Sequence, residues 1–503
     1  MNDTPKHHNG HLSSGRLLAK NTVWNLIGFT TPLLVAVFCI PVLIRELGKD
    51  RFGILTLAWA LIGYASLFDL GLGRALTQLV ARKLGAGEER EIPSLVWTSL
   101  FLMSFFGILG AGIIYGLSPW LVHRWLNVPV SLQAETIASF RLLGFSIPFV
   151  ITSSGLRGLL EAQQRFGFVN ALRIPMGVLT FVGPLSVLPF SRRLVPIVAS
   201  LVLVRIVLWA AHLAVCLNVA PELRRSLAWR RSSVIPLMRF GGWMTVTNIV
   251  SPLLVTVDRF MIGALVSMTA VAYYATPYEV VTKVLLIPGA LMAVMFPAFS
   301  LSFERDLERT ALLFWKSLRS ILLVLFPILL FTVVLAQDGL RLWLGADFAQ
   351  HSYRVLQWLS VGVFLNSLAQ PPFCFLQGIG RPDLSATLHL IELPLYLALL
   401  WWLISTQGIV GAAIAWTIRV TVDAVGMFWL ARTRLPQRRA ISLKVVLLPA
   451  VALLILLLAS TLEGPVVKAI FLIGTTLCFV LFAWFRVLTP EERSFSSVAT
   501  ESR

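Results

Sequence analysis

The sequence contains little charge for its length. Asp, Glu, Lys and Arg together make up 13% of its 503 residues, about half of the ~25% that is usual in soluble domains. Hydrophobic residues reach 57%, and they occur in continuous runs rather than in the apolar–polar alternation of a membrane β-barrel strand. These proportions exclude a globular cytosolic enzyme and a disordered chain, and they predict a helical membrane protein.

Cysteine is also scarce, and the short motifs that hold metals or nucleotides are missing. The four cysteines are Cys39, Cys216, Cys374 and Cys478. They lie within apolar runs and form no CxxC pair, so they indicate neither a disulfide framework nor a metal site. No glycine-rich nucleotide-binding loop is present, which excludes direct coupling to ATP. We therefore expect no cofactor and no metal.

The apolar runs are long enough to cross a bilayer many times. A spanning helix needs about 20 predominantly apolar residues, and the sequence predicts about 14 such spans, or fewer if a proline-broken segment is re-entrant. The fold expected is therefore an all-α polytopic membrane protein. The predicted spans are roughly 21–44, 53–80, 93–117, 137–160, 168–190, 195–219, 238–263, 270–299, 311–336, 352–377, 383–404, 408–431, 442–461 and 465–486.

Positively charged residues predict how the spans are oriented. The even-numbered connections and both termini hold roughly three times as many Lys and Arg residues as the odd-numbered connections, and cytoplasmic loops carry this excess in membrane proteins. Both termini are therefore expected in the cytoplasm. The net charge of +18 is interpreted as loop charge and attraction to anionic lipid headgroups, and nucleic acid is not an expected partner.

Two short segments recur in the second half of the chain. Residues 32–37 (PLLVAV) match residues 252–257 (PLLVTV), and residues 204–207 (VRIV) match residues 418–421 (IRVT). Six spans separate each pair, so the two halves have the same orientation, as in secondary transporters whose substrate path lies between duplicated bundles. The predicted organisation is a cytoplasmic segment over 1–20, a first lobe over 21–233, a second lobe over 234–440, two further spans over 441–486 and a cytoplasmic tail over 487–503.

Basic side chains near the middle of spans are candidates for substrate binding, because a charge at the bilayer centre costs about 2.5–3.5 kcal/mol on insertion scales. They are Arg205, Lys283 and Arg419, with His212 two helical turns after Arg205. Arginine donates bidentately to phosphate oxygens, so these residues predict a cationic cavity for a phosphate-bearing substrate. The alternative is that they form structural pairs between helices.

Three acidic residues are candidates for coupling transport to an ion: Glu279, Glu392 and Asp423. Glu279 lies four residues before Lys283, and Asp423 lies four residues after Arg419, so each is expected to pair with that cation on its own helix. Asp423 is the preferred candidate for a protonation switch, because a substrate phosphate that binds Arg419 would release it.

Two further pairs of opposite charge are interpreted as structural. Asp69 and Arg74 lie beside two glycines that allow close contact between helices, which favours a role in packing and loop anchoring. Asp258 and Arg259 lie near the end of span 7, where Arg259 is expected to extend its head group to the membrane interface.

Four motifs carry a resemblance to a known family. They are RELGKDRFG at 45–53, FDLGLGRA at 68–75, DRFMIG at 258–263 and AYYA at 272–275. Together with the arrangement of six, six and two spans, they resemble the polysaccharide-transporter branch of the multidrug/oligosaccharidyl-lipid/polysaccharide (MOP) flippase superfamily, the Wzx-type O-antigen flippases.

The resemblance implies two six-helix lobes around a central cavity. It also implies movement of an undecaprenyl-pyrophosphate-linked oligosaccharide from the cytoplasmic to the periplasmic leaflet of the bacterial inner membrane. The partners that it implies are this substrate, membrane lipids, and a polysaccharide polymerase or other assembly proteins.

Two other functions remain open from the sequence. A drug or cation antiporter of the same fold would need acidic residues free to bind cations, whereas each central acid here has a basic residue near it. A membrane-embedded polysaccharide polymerase or ligase would be expected to have a long external loop with catalytic Arg or His, whereas the external connections here are short. We therefore expect a transporter and not an enzyme.

Overall fold

The chain is described here by a computed structural model. It covers residues 31–224 except 33, 66–68 and 164, residue 234, residues 254–435 except 304 and 305, and residues 443–487. Within these ranges the chain is helical and contains no strand, which confirms the predicted all-α class. The predicted cytoplasmic segment over 1–20 and nearly all of the tail over 487–503 lie outside the described residues.

Two compact units make up the chain, Met1–Ala272 and Tyr273–Arg503. The division therefore falls later than the lobe boundary expected after residue 233. The reason is that the last turn of helix 254–265 packs on the first unit. There the backbone N–H of Asn127 donates to the Gly263 carbonyl (2.8 Å), and its side chain donates to the Ala264 carbonyl (2.7 Å).

Within the first unit, the helix Val130–Ala162 (α5) is central. It packs against Lys49–Tyr64 (α2), Leu72–Ala86 (α3), Ile92–Trp120 (α4) and Leu194–Val219 (α7). The apolar core that it shares with α3 and α4 includes the fully buried Leu72, Leu76 and Leu159. The helices are α1 (34–47), α2 (Lys49–Tyr64), α3 (Leu72–Ala86), α4 (Ile92–Trp120), α5 (Val130–Ala162), α6 (Phe166–Val187), α7 (Leu194–Val219) and α8 (254–265).

In the second unit, α13 is central and packs against α10, α11, α12 and α14. Helix α9 begins in the first unit and continues into the second. The helices are α9 (Met268–Val281), α10 (Leu286–Phe303), α11 (Leu307–Val334), α12 (Ala336–Leu344), α13 (Ala346–Gly378), α14 (Pro382–Arg432), α15 (Leu443–Ala459) and α16 (Pro465–Phe482).

Several helices begin where the sequence supplies a start signal. Pro93, Pro382 and Pro465 lie in the first turns of α4, α14 and α16. Backbone N–H groups in the first turn have no partner within the helix, so a proline there removes no helical hydrogen bond. Before α11, the Asp306 carboxylate accepts from the backbone N–H of Arg309 at 2.9 Å, which is the usual N-cap contact.

The span expected over 53–80 is not one continuous helix, because two left-handed residues just before Leu72 separate α2 from α3. Leu70 has φ +47° and Gly71 has φ +73°, which is left-handed backbone that cannot continue a right-handed helix. The carboxylate of Asp69 accepts from the backbone N–H of Gly73 at 2.9 Å, so it satisfies one of the unpaired donors at the start of α3.

Helix α14 contains two spans joined at a kink. At ~1.5 Å per residue, its 51 residues would extend about 77 Å, far beyond a hydrocarbon core of ~30 Å. Gly408, with φ +60° and ψ −137°, bends the chain between residues 382–407 and 409–432. These two halves correspond to the predicted spans 11 and 12.

Nine helices in the described part of the chain are long and apolar enough to cross a membrane, and α14 is counted as one of them. The remaining predicted spans fall on α1 to α3, on α8 and on the shorter apolar α15, or on residues outside the described ranges.

Gly53 explains one of the motifs that carry the family resemblance. A Cβ atom at this position would overlap the carbonyl oxygen of Met268, so only glycine lets α2 approach the start of α9 so closely. A hydrogen bond from the Thr269 hydroxyl to the Asp50 carboxylate lies beside this contact. The motif over 45–53 therefore joins α2 to the α8–α9 turn.

Candidate functional site

A cavity of about 310 Å³ lies inside the first unit, between α2, α5, α6 and α7. Its charged lining consists of Arg157, Arg173, Arg205 and Asp69, with His212 beside them. Three guanidinium groups therefore share this space with one carboxylate. The cavity has an excess of positive charge, which suits an anion.

Arg205 is the lining residue with the most unused hydrogen-bonding capacity. It lies about 17 Å along α7 from the first residue and is half-buried. Its guanidinium makes no hydrogen bond or ion pair with any residue that the structure describes. Because a guanidinium has five N–H donors, Arg205 can offer a complete set of donors to a bound anion.

His212 is held in position by its own helix. Its Nδ1 atom lies 2.8 Å from the Leu208 carbonyl oxygen, which fixes the ring orientation and the tautomer with the proton on Nδ1. In the described part of the chain, Nε2 has no partner. The ring is buried at the cavity wall, so Nε2 is available to a bound ligand.

Sequence reasoning did not identify Arg157 and Arg173 as site residues. The structure places them on α5 and α6, on the cavity wall. Arg157 Nε lies 3.7 Å from Glu161 Oε1, a half-exposed pair of small energetic value. Arg157 lies inside the predicted span over 137–160 and Arg173 inside the predicted span over 168–190. A basic residue within a span is a candidate for substrate binding, so their positions in the sequence could have identified them.

In the second unit, the predicted ion pair between Arg419 and Asp423 is not formed. Asp423 Oδ1 instead lies 3.1 Å from Nε2 of His389, and the Arg419 guanidinium lies over the ring of Tyr396, 5.8 Å from its centroid. The kink at Gly408 brings the two halves of α14 side by side. Asp423 and Arg419 therefore contact His389 and Tyr396 of the first half, and they do not pair with each other as expected.

Glu392 belongs to the same cluster. Only 4% of its surface is exposed, and neither of its carboxylate oxygens has a hydrogen-bond partner among the residues that the structure describes. Arg419 is 9% exposed, and its Nε is also without a hydrogen bond in the described ranges. His389 and Tyr396 lie one turn before and one turn after Glu392, so their contacts with Asp423 and Arg419 bring these two residues close to Glu392 in one buried polar cluster.

Lys283 and Glu279 form the ion pair that their spacing predicts. Lys283 Nζ lies 3.3 Å from Glu279 Oε2, and both side chains are more than a third exposed. Lys283 lies in the short Thr282–Leu285 turn of 3-10 helix between α9 and α10. The structure thus gives Lys283 an acidic partner, unlike Arg205.

The two motif pairs differ from expectation in one respect. Asp69 anchors the start of α3 and also lines the cavity, whereas the side chain of Arg74 lies outside the described residues. The expectation that Arg259 reaches the interface is wrong, since only 5% of its surface is exposed. It is buried next to Asp258, whose Oδ1 accepts from the Arg259 backbone N–H at 2.7 Å.

A larger apolar groove of about 1270 Å³ lies between α11, α15 and α16. Phenylalanines contribute much of its wall, and Arg319 is the one charged residue among the described residues that line it. A Cβ atom at Gly474 would meet no atom within 4 Å, so the groove is open beside this residue.

Comparison with known proteins identifies the family. The model for the polysaccharide biosynthesis protein family matches residues 42–353. A Shigella flexneri protein named "Putative O-antigen transporter" is 32% identical over 419 residues, which cover 82% of this chain and 97% of that protein.

Solved structures share the fold. An inward-facing MATE family multidrug transporter of the MOP superfamily has a TM-score of 0.70 at 16% identity, over 81% of this chain and 97% of that one. The lipid II flippase MurJ in an inward closed conformation has a TM-score of 0.67 at 14% identity, over 92% and 98%. The chain belongs to the polysaccharide biosynthesis protein family, and it is a transporter rather than an enzyme.

Proposed function

We propose that the protein moves an oligosaccharide linked to undecaprenyl pyrophosphate from the cytoplasmic to the periplasmic leaflet of the bacterial inner membrane, for the synthesis of O-antigen or a related polysaccharide. The observation that carries this proposal is the arginine-lined cavity of the first unit. A pyrophosphate that leaves the membrane surface loses its water partners, and buried charges without partners are very unfavourable.

Arg205 is proposed as the main phosphate ligand, because its donors are uncommitted within the described residues. Arg157, Arg173 and His212 add positive charge and further donors along the same wall. Arg419 and Lys283 are proposed as substrate contacts of the second unit. Because three arginines face one carboxylate in the cavity, an anionic substrate is favoured over the cation of a drug antiporter.

The groove of the second unit supports a substrate with a long lipid chain. Its wall is almost entirely apolar, and each methylene transferred from water to such a surface gains about 0.8 kcal/mol. We propose that an isoprenoid chain occupies the groove while the charged head group enters the transport path.

Localisation and partners follow from the same proposal. The protein is proposed to lie in the inner membrane with both termini in the cytoplasm, in contact with membrane lipids and with a polysaccharide polymerase or other assembly proteins. Transport is proposed to be coupled to an ion, with Asp423, Glu392 and Glu279 as the candidate residues.

Arg205 provides the direct test of the phosphate site. Removal of a partner from a buried charge costs ~2–5 kcal/mol, so Arg205→Ala is expected to lower substrate affinity ~30-fold or more and to abolish surface polysaccharide in a deletion strain. Arg205→Lys should recover part of the function, because it keeps the charge but loses the fork of donors. Surface glycan and protein abundance are measured in parallel.

Arg193 gives a matched control on the same helix. It is exposed at the start of α7 and does not line the cavity, so Arg193→Ala should leave both readouts unchanged. If Arg205→Ala lowers abundance as much as glycan, Arg205 is structural. If it accumulates normally and glycan is also normal, the phosphate site is wrong at this residue.

A further inference from the structure

Glu392 is a buried carboxyl group without a hydrogen bond to any residue that the structure describes. It lies in the first half of α14, and 4% of its surface is exposed. An ionised carboxylate taken out of water costs several kcal/mol unless it is paired. A carboxyl group in this position therefore either finds a cation or binds a proton.

The groups around Glu392 come from both halves of α14. His389 lies one turn before Glu392 and Tyr396 lies one turn after it. Arg419 and Asp423, in the half of α14 beyond the kink, interact with the Glu392 carboxyl group through their charges. His389 is already engaged with Asp423 at 3.1 Å, and the Arg419 guanidinium lies over the Tyr396 ring. Arg419 is therefore the nearby cation without an acidic partner.

Helices α13, α9 and α11 contact α14 in the described part of the chain. Helix α11 does so through Phe314 and Phe428, with ring centroids 6.2 Å apart, and the nearby Lys316 is exposed. Helix α13 packs against α14, and its residues 358–373 contain no charged side chain. Helix α9 touches α14 through Tyr278 and Trp416, with ring centroids 5.9 Å apart. The charged residues next to that contact, Glu279 and Lys283, pair with each other.

We propose that Glu392, rather than Asp423, is the proton-binding residue of the transport cycle. It carries a proton while Arg419 rests on Tyr396, and it loses that proton when the guanidinium turns to pair with the carboxylate. In that step the O–H bond of the carboxylic acid breaks, the proton passes to a water molecule, and the Arg419–Glu392 ion pair forms. This inference deepens the proposed function by naming the proton as the coupling ion. It rests on the proposed function only in that proton release is assumed to drive transport of the substrate.

Difference infrared spectroscopy of the purified full-length protein in lipid nanodiscs tests the proposal without any substrate. The wild type is expected to show the carbonyl band of a protonated, buried carboxylic acid at neutral pH, and the band should shift in deuterated water. Glu392→Gln should remove this band, because the amide keeps the shape of the protonated acid but has no titratable proton. Glu392→Asp should keep a band at an altered frequency.

Asp423→Asn is the matched control, since it removes the other acid of the cluster. It should leave the band in place. The proposal is overturned if the wild type has no such band, if the band survives in Glu392→Gln, or if Asp423→Asn removes it instead. Translocation of lipid-linked oligosaccharide by the same wild-type preparation is measured separately, so a failure of the flippase proposal is distinguished from a failure at Glu392.

Discussion

Filling the groove at Gly474 should weaken transport of a substrate with a long lipid chain. A side chain at this position meets open space, so Gly474→Trp places a large ring inside the groove between α11, α15 and α16 without forcing the helices apart. The protein should therefore fold normally, and the loss should concern only what the groove holds.

The size of the effect follows from the apolar surface that the ring displaces. If an indole excludes about four methylene equivalents of an isoprenoid chain, the loss at ~0.8 kcal/mol per methylene is about 3 kcal/mol. At 1.4 kcal/mol per tenfold, affinity should fall roughly 100-fold. Gly474→Ala and Gly474→Leu should give smaller losses in the order of side-chain volume.

The assay compares two substrates in reconstituted vesicles, a fluorescent oligosaccharide on a full-length isoprenoid diphosphate and the same head group on a short chain. Gly474→Trp should impair the long-chain substrate and spare the short-chain one. Gly112→Trp is the control, because Gly112 is exposed on α4 and its Cβ also meets open space. Equal loss for both substrates, or no loss for the long chain, would refute the assignment of the groove.

Two further outcomes test the fold. Gly53→Ala should lower the abundance and thermal stability of the protein, because its Cβ would overlap the Met268 carbonyl. Gly63→Ala is the control in the same helix and should be tolerated, since its Cβ meets no atom within 4 Å. Equal thermal midpoints for the two variants would contradict the packing of α2 on α9. Arg90 and Arg124 are both exposed and lie on opposite predicted sides of the membrane, Arg90 on the cytoplasmic side. In a cysteine-free background, Arg90→Cys should therefore react in intact cells only with membrane-permeant thiol reagents, whereas Arg124→Cys should react with impermeant ones. The reverse labelling would overturn the predicted orientation.

Local sequence features predicted part of the site. A basic residue in the middle of a long apolar run identifies Arg205 without any structure, because the cost of burying its charge is local to the helix. The four-residue spacing of Glu279 and Lys283 is local in the same sense, and the pair forms at 3.3 Å.

The rest of the site depends on contacts between distant segments. Asp423 pairs with His389, 34 residues away, because of a kink whose direction is set by one glycine torsion. The sequence did not predict the interruption of the helix over 53–80, because the left-handed backbone at Leu70 is not a preference that leucine itself expresses. Helical spacing alone therefore predicted a partner for Arg419 that the folded chain does not use.

The interrupted helix has a consequence for how the protein enters the membrane during synthesis. At ~1.5 Å per residue, α2 and α3 extend about 24 Å and 22 Å, and neither reaches across a hydrocarbon core of ~30 Å. The translocon therefore cannot release either half into lipid as an independent span, and the two halves find their packing partner only after α5 has emerged from the ribosome. Insertion of the α2–α3 segment should consequently be the step that depends most on membrane insertases and on the speed of translation.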